Sequence, residues 1–256
     1  MGKVIAFANQ KGGVGKTTTA MNVSAALAEK GQKVILIDID PQGNASWGLG
    51  VDEDATEYTI YDLLIGECTF GQAAVKTDYE NLSVITANVD LAAADGDLKK
   101  MNNPEYVLKS KLIGYRDSYD YIIIDCPPSL NLLTINSLSC ADSVIVPLQC
   151  EPLALVGLSQ LLETVSLVKQ RLNPDLKVDG VVFTMYDGRT KISQQVVQEV
   201  RQNLKTHIYQ NIIPTNVSLK EAPSFGQPIN VYNKRSVGAR AYAGLAEEIL
   251  KRDKKL

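Results

Sequence analysis

The sequence lacks several features that would assign it to common classes of protein. It has no run of about 18 consecutive apolar residues, so we expect no membrane-spanning helix. Its first residues enter an apolar strand pattern directly, and we expect no signal peptide. None of the four cysteines forms a Cys-x-x-Cys pair, which argues against a zinc site and fits reduced thiols. These absences predict a cytoplasmic protein.

The sequence also has only one histidine and a small net charge. His207 is the only histidine, so Cys126 has no plausible partner for nucleophilic catalysis, and we interpret it as a packed thiol. The net charge of −3 argues against a permanently basic nucleic-acid-binding protein. Residues 1–150 carry 11 Lys/Arg against 19 Asp/Glu, whereas residues 151–256 carry 15 against 10. The C-terminal part could therefore present a weakly basic face, although such an excess is also common on solvated surfaces.

One glycine-rich segment organises the chain. It lies between an apolar strand pattern at residues 4–8 and a helical pattern at residues 19–28, and it reads Lys11-Gly12-Gly13-Val14-Gly15-Lys16-Thr17-Thr18. A strand, a glycine loop and a helix in this order direct backbone N–H groups and the positive helix end at one point, where a polyphosphate can bind. Lys16 would reach the β- and γ-phosphates, and the Thr17 hydroxyl would ligate Mg²⁺. The segment predicts a polyphosphate site.

Carboxylates follow two further buried-strand patterns. Residues 33–38 form an apolar run that ends in Asp38-Ile39-Asp40, and residues 121–125 form another that ends in Asp125 before two prolines. Because parallel strands present their carboxyl ends at one edge of a sheet, we expect these carboxylates to face the phosphate site. Asp125 would contact a water bound to Mg²⁺.

The alternation of strand and helix patterns predicts the fold class. We expect one domain over residues 1–256, an α/β fold with a doubly wound, mainly parallel sheet and helices on both faces. Residues 47–50 indicate a loop, residues 105–115 a helix, and residues 240–251 a C-terminal helix docked on the core.

The spacing of the glycine loop departs from the ordinary phosphate-binding loop, because Gln10 stands where that motif has glycine. The Lys-Gly-Gly-x-Gly-Lys-Thr form resembles the deviant Walker A motif of the ParA/MinD ATPases. The resemblance implies that Lys11 crosses a dimer interface to the partner's nucleotide, acting like an arginine finger. It also implies that Asp40 positions the attacking water, that Asp38 helps to hold Mg²⁺ through solvent, and that Asp125 belongs to a Walker B strand.

Residues 212–229 extend the resemblance to one group within this family. Their Ile-Pro-Thr-Asn-Val-Ser-Leu-Lys-Glu-Ala-Pro-Ser-Phe-Gly-Gln-Pro pattern closely resembles a block of chromosomal ParA proteins, the Soj group. The resemblance implies an adenine site around Met185, Pro214 and Asn216. It further implies basic DNA contacts, for which the candidates are Arg189, Lys220, Lys234, Arg235 and Arg240. Ser218 is a departure, since close relatives have a second arginine there, and DNA affinity could be weaker or shifted to the neighbouring basic residues.

The resemblance implies a weak MgATPase that partitions chromosomes or plasmids. The ATP-bound homodimer would bind double-stranded DNA without sequence preference, a ParB-like protein would stimulate hydrolysis, and the protein would be cytoplasmic and associated with the nucleoid. Three alternatives stay open. They are a MinD-like ATPase on a membrane surface, a ParA-like ATPase with a cargo other than DNA, and a redox iron protein with the same loop. The last requires cysteine pairs that this sequence lacks, and we expect no stable membrane association.

Overall fold

The computed structural model describes residues 2–52, 56–152 and 154–254. A seven-stranded sheet runs through this part of the chain, in the spatial order β3-β4-β2-β5-β1-β6-β7. The strands are β1 Lys3–Phe7, β2 Val34–Asp38, β3 Ala74–Lys76, β4 Leu82–Ile85, β5 Tyr121–Asp125, β6 Ser143–Gln149 and β7 Lys177–Thr184. Only the β3–β4 pair among them is antiparallel. The prediction of a mainly parallel sheet is confirmed.

Helices cover both faces of the sheet. They are α1 Lys16–Glu29, α2 Asn44–Gly48, α3 Ile60–Ile65, α4 Phe70–Ala73, α5 Ala94–Leu98, α6 Val107–Leu112, α7 Leu132–Cys140, α8 Ala154–Arg171, α9 Lys191–Asn203, α10 Val217–Glu221, α11 Ile229–Tyr232 and α12 Val237–Asp253. Short 3₁₀ turns lie at Val89–Ala93, Pro104–Tyr106, Arg116–Ser118 and Ala222–Phe225.

Alternate residues of the central strands contribute to two different cores. Ile122 and Ile124 of β5 pack into the core beneath α3, α6, α7, α8 and α9, whereas Ile123 packs into the core beneath α1 and α12. Side chains alternate in direction along a strand, so a strand covered on both faces must be apolar throughout. This is the physical reason for the continuous apolar runs in the sequence.

Two local predictions need correction. Residues 47 and 48 belong to helix α2 rather than a loop, because backbone N–H groups of its first turn donate to the Asp38 side chain, which precedes the helix in the chain. The helix predicted at residues 105–115 is α6 alone, preceded by a 3₁₀ turn that begins at Pro104. The sequence interpretation also overlooked α7, whose N-cap is Asn131.

Both edges of the sheet are protected. At one edge, β3 has only three residues and ends in Lys76. At the other edge, the segment 207–214 runs alongside β7, with hydrogen bonds from Val181 N to His207 O (3.0 Å) and from Ile213 N to Phe183 O (2.8 Å). Unpaired backbone groups at sheet edges invite pairing with other chains, and short or covered edges prevent it.

The C-terminal helix α12 is docked on the core, as predicted. Its buried face includes Tyr242, Leu245 and Ile249. Its last turn is held at the amino ends of the strands, where Arg252 donates to Asp179 (3.1 Å) and the Tyr121 hydroxyl donates to Asp253 (2.7 Å). Within the described ranges, no helix combines the length and the apolar character needed to cross a membrane.

Candidate nucleotide-binding site

The predicted site residues converge at the carboxyl edge of three adjacent strands. Strand β5 lies between β1 and β2, and its last residue, Asp125, pairs in register with Phe7 and with Asp38. The glycine loop follows β1, the Asp38–Asp40 segment follows β2, and Asp125 closes β5. Ligands of open α/β sheets bind at such an edge.

The glycine loop has the backbone conformation that its glycines permit. Gly13 (φ +74°) and Gly15 (φ +83°) adopt left-handed conformations that a side chain would disfavour. The buried Asn9 holds the loop in place, because its amide donates to Pro147 O (2.7 Å) and accepts from Lys11 N (3.0 Å). Helix α1 begins directly after this loop, so its N-terminal N–H groups face the same space.

Lys16 is buried at the start of α1. Its ammonium group donates to Lys11 O (3.3 Å) and faces the carboxylates of Asp125 and Asp40. Burial lowers the pKa of Lys16, and these carboxylates partly oppose that shift. A buried cation with one long hydrogen bond is poised to bind an anionic ligand.

Asp125 is the least satisfied polar group of the site. It is fully buried, and neither carboxylate oxygen forms a hydrogen bond of good geometry with a described residue. Burial, together with the charge of Asp38, holds the pKa of Asp125 well above its usual range, while the Thr17 hydroxyl and Lys16 oppose this shift. A buried carboxylate without a partner is costly in a protein and fits a site for a cation. Burial also raises the pKa of the adjacent Cys126 to about 12, which agrees with its interpretation as a packed thiol.

The two carboxylates after β2 have different environments. Asp38 is completely buried, and burial raises its pKa to about 6, whereas hydrogen bonds from Ser46 oppose the shift. Its Oδ2 accepts from Ala45 N (3.0 Å) and Ser46 N (2.9 Å) at the start of α2. Asp40 is also largely buried, and its Oδ1 accepts from Gln42 N (3.1 Å). The solvent-mediated contact of Asp38 with Mg²⁺ stays a prediction.

Lys11 is engaged in an ion pair within the chain. Its ammonium group contacts the carboxylate of Glu151, which follows β6, and Gln149 donates to the other oxygen of that carboxylate. The Lys11 and Glu151 side chains are 47% and 42% exposed, so water and salt screen the pair. Lys11 therefore lies at the surface beside the loop rather than inside the site of its own chain.

A cavity of about 250 Å³ adjoins the glycine loop on the side of β7. It is lined by Gly15, Thr18, Gln149, Thr184, Met185, Ile213, Pro214, Thr215, Asn216, Leu219, Lys220 and Tyr242. The structure thus brings together the three residues expected near adenine. Asn216 Oδ1 is buried and accepts no hydrogen bond from the part of the chain that the structure describes, and Met185 is a rare non-glycine residue with positive φ (+51°). Thr184 joins the cavity to the loop, since its hydroxyl donates to Val14 O (2.7 Å).

The predicted DNA contacts do not form a single cluster. Arg189, after β7, is paired with Asp187 (2.8 Å), and Lys234 is paired with Glu29 (2.6 Å). Lys220 lies in the wall of the cavity. Arg235 and Arg240 flank the start of α12, where Arg240 donates to Arg235 O (2.8 Å), and neither forms an ion pair with a described residue.

Several residues of the site were overlooked in the sequence. Asn9, Gln149 and Thr184 all lie at the carboxyl end of a parallel strand, and that position was the available signal. Tyr242 carried no signal, because it reaches the cavity from α12, far along the chain. Its hydroxyl lies 3.2 Å from that of Thr19. Within the described residues, no three His, Cys, Asp or Glu side chains cluster to hold a metal.

Comparisons with known proteins agree with this geometry. The AAA domain family matches residues 2–178. The chain is 51% identical over 249 residues to the sporulation initiation inhibitor protein Soj of Bacillus subtilis, covering 97% of this chain and 98% of that protein. It is 49% identical over 253 residues to the chromosome-partitioning ATPase Soj of Treponema pallidum, covering 99% of each. A structure of cobyrinic acid a,c-diamide synthase from Mycobacterium smegmatis, with bound ATP analog and magnesium, is 40% identical, with a TM-score of 0.88 and coverage of 99% of this chain and 96% of that one.

Proposed function

Because the chain belongs to the ParA/Soj family of partitioning ATPases, we propose that it binds and hydrolyses MgATP in order to partition a chromosome or a plasmid. The observation that carries this proposal is that buried Lys16, at the end of the glycine loop, faces Asp125, whose buried oxygens accept no hydrogen bond of good geometry from a described residue. An anion and a cation together, as in MgATP, would satisfy both groups. The two cores share one sheet, which supports a single ATPase domain over residues 1–256.

The residues present fit a magnesium ion. Thr17 and Asp125 approach each other at the start of α1, and Asp125 has buried oxygens without partners. Mg²⁺ is usually held by one or two protein groups together with substrate phosphates and water, so a larger acidic cluster is not required. When bound, the ion would neutralise charge on the phosphates.

Positioning and charge would supply the catalysis. The N–H groups of residues 12–18 and the Lys16 ammonium would bind the phosphates, and the cavity beside Met185, Pro214 and Asn216 would hold the adenine. Asp40 would orient the attacking water, because one of its oxygens stays free of hydrogen bonds to described residues. A carboxylate is a weak general base, so we expect slow hydrolysis by the protein alone.

Lys11 would act on the nucleotide of a second subunit. It lies on the surface of the site, and its only ionic partner among the described residues is the exposed Glu151. In an ATP-bound homodimer, each Lys11 would exchange this ion pair for the partner's phosphates, where it would stabilise charge in the transition state. A ParB-like protein would stimulate turnover of this dimer.

The dimer would present its DNA-binding face around the start of α12. Asn233 donates to the Ser218 hydroxyl (3.2 Å), so the position that is arginine in close relatives lies next to the segment that carries Arg235. Arg235 and Arg240 have no carboxylate partner among the described residues and would replace the missing charge. Dimerisation doubles this weakly basic face, which makes DNA binding depend on ATP and on salt. This activity would place the protein in the cytoplasm, on the nucleoid.

The docked C-terminal helix argues against the membrane alternative. Its apolar face is buried against α1, and its last turn is tied to β5 and β7 through Asp253 and Arg252. A membrane-binding amphipathic helix needs a free apolar face.

The test is duplex DNA binding by the Asp40→Ala protein at moderate salt, in MgATP and in MgADP. We expect tight binding in ATP alone, because this variant should accumulate as the ATP-bound dimer. The exposed Asp175→Ala substitution is the matched control and should behave like the wild type. Binding to anionic vesicles instead of DNA would favour the MinD-like alternative, and binding to neither would favour a cargo other than DNA.

A further inference from the structure

Both carboxylate oxygens of Asp38 accept hydrogen bonds from groups of the same chain. Its Oδ2 accepts hydrogen bonds from Ala45 N, Ser46 N and the Ser46 hydroxyl (3.0, 2.9 and 2.9 Å), and its Oδ1 accepts from Asp40 N (3.2 Å). Three of the four donors are backbone N–H groups, and three lie at the start of α2, the usual arrangement for a carboxylate that caps a helix. A carboxylate bound in this way has no strong need for a metal-bound water.

Ser46 connects this carboxylate to a third strand. Its side chain is completely buried, and its hydroxyl donates to Asp38 while accepting from Ala87 N (3.2 Å), just beyond β4. The hydroxyl therefore uses both its donor and an acceptor position in a site without water access. Fully satisfied polar networks of this kind fix the relative position of the elements they join.

The element fixed here is the loop that carries Asp40. Asp40 N is bound to Asp38, Asp40 O accepts from Gly43 N (2.9 Å), and Gly43 O accepts from Trp47 N (3.0 Å). The loop is thus closed at its start by Asp38 and at its end by α2, which Asp38 also caps. Displacement of α2 would move Asp40 relative to Lys16 and Asp125.

We propose that Asp38 and Ser46 are positioning residues for Asp40, and that Asp38 acts on the reaction through this loop rather than through magnesium. The inference rests on the proposed ATPase function. The two roles of Asp38 differ in what they predict. A positioning role affects turnover and the position of α2, whereas a magnesium role affects the concentration of Mg²⁺ that the reaction requires.

Ser46→Ala separates these roles, because the substitution removes the hydroxyl and leaves the Asp38 carboxylate in place. We expect kcat to fall about fivefold, the factor given by the loss of about one net hydrogen bond. ATP affinity and half-saturation by Mg²⁺ should stay unchanged. The only tryptophan of the chain, Trp47, lies next to Ser46 in α2 and is about half exposed. Acrylamide quenching of its fluorescence should increase, even in nucleotide-free protein.

Ser24→Ala is the matched control, because Ser24 is also completely buried and its hydroxyl bonds only within α1, to Ala20 O (2.7 Å). It should change neither kcat nor Trp47 quenching. If Ser46→Ala does not fold, Ser46→Cys carries the same comparison, because a thiol is a weaker hydrogen-bond donor and the Asp38 carboxylate stays in place. A raised Mg²⁺ requirement with unchanged quenching, or an unchanged kcat, would overturn the inference. A wild-type protein without ATP turnover would instead refute the proposed function, and the quenching comparison would still test the role of Ser46.

Discussion

The ion pair between Lys11 and Glu151 should oppose dimerisation, and its removal should therefore strengthen the ATP-bound dimer. In the proposed dimer, each Lys11 would have to leave the Glu151 of its own chain before it could reach the partner's nucleotide. Glu151→Gln removes the charge and keeps an oxygen that can accept from Gln149. The substitution thus releases Lys11 with little disturbance of the surrounding backbone.

The expected magnitude follows from the exposure of the pair. Exposed ion pairs stabilise proteins by about 0.2–1 kcal/mol, and both side chains are more than 40% exposed. A dimer requires two such pairs to open, which gives about 0.4–2 kcal/mol, or a dimer dissociation constant lower by about 2- to 30-fold. Because salt screens exposed charges, the difference should shrink as ionic strength rises.

Sedimentation velocity of the Asp40→Ala protein in MgATP, with and without Glu151→Gln, measures this constant. Glu247→Gln is the control, since Glu247 lies on α12 and forms a comparably exposed ion pair with Lys30 (2.8 Å), which follows α1. It should leave the dimer constant unchanged. A dimer that is weaker with Glu151→Gln would refute the reasoning, because Glu151 would then contribute to the interface instead of retaining Lys11.

Four further perturbations have defined outcomes. Lys16→Ala should weaken ATP binding about 100-fold in calorimetry, because a buried charge-assisted contact is lost. Arg240→Ala should lower the salt slope of DNA binding by roughly one unit. Gly226→Ala should destabilise the fold by about 2 kcal/mol in urea unfolding, because its φ is +61° and a Cβ would lie 2.7 Å from Gly50 Cα. Asp179→Asn should cost about 3 kcal/mol at pH 7, since it breaks a buried ion-pair network with Lys3 and Arg252. Although burial raises the pKa of Asp179, these cations lower it overall, so its contribution is present above pH about 4 and lost as the pH falls through the lowered value.

Each of these outcomes has a matched comparison. Lys11→Ala should retain ATP binding. Lys76→Ala, in the edge strand β3, should leave the salt slope of DNA binding unchanged. Gly96→Ala meets no atom within 4 Å and has no positive φ, so it should be tolerated. For Asp179, the exposed Asp175→Asn is the control. An unfolding free energy of Asp179→Asn that declines with acid as steeply as that of the wild type would contradict the linkage.

The parts of the fold that repeat along the sequence could be predicted, and the parts that depend on distant partners could not. Asp125 could be placed at the site because a doubly buried strand must be apolar up to its end, so the first carboxylate marks the sheet edge. Helix α2 could not be predicted, since its first turn is capped by Asp38 at the end of β2, whereas its N-cap position is Gly43, which has no side chain to cap it. The role of Asn9 depends on Pro147 O, and the place of Lys220 in the cavity depends on how α10 packs against Gly238. Such contacts depend on the tertiary structure, and local sequence patterns do not predict them.

The closed edges of the sheet have a consequence for crowding on DNA. A protein that coats a nucleoid reaches high local concentrations, at which any open β-edge would recruit further copies through backbone hydrogen bonds. Here the short β3 and the segment beside β7 leave little backbone available for such growth. The proposed assembly would thereby be restricted to the nucleotide face, where ATP hydrolysis would reverse it. The sheet would thus help to keep a reversible assembly from becoming a permanent aggregate.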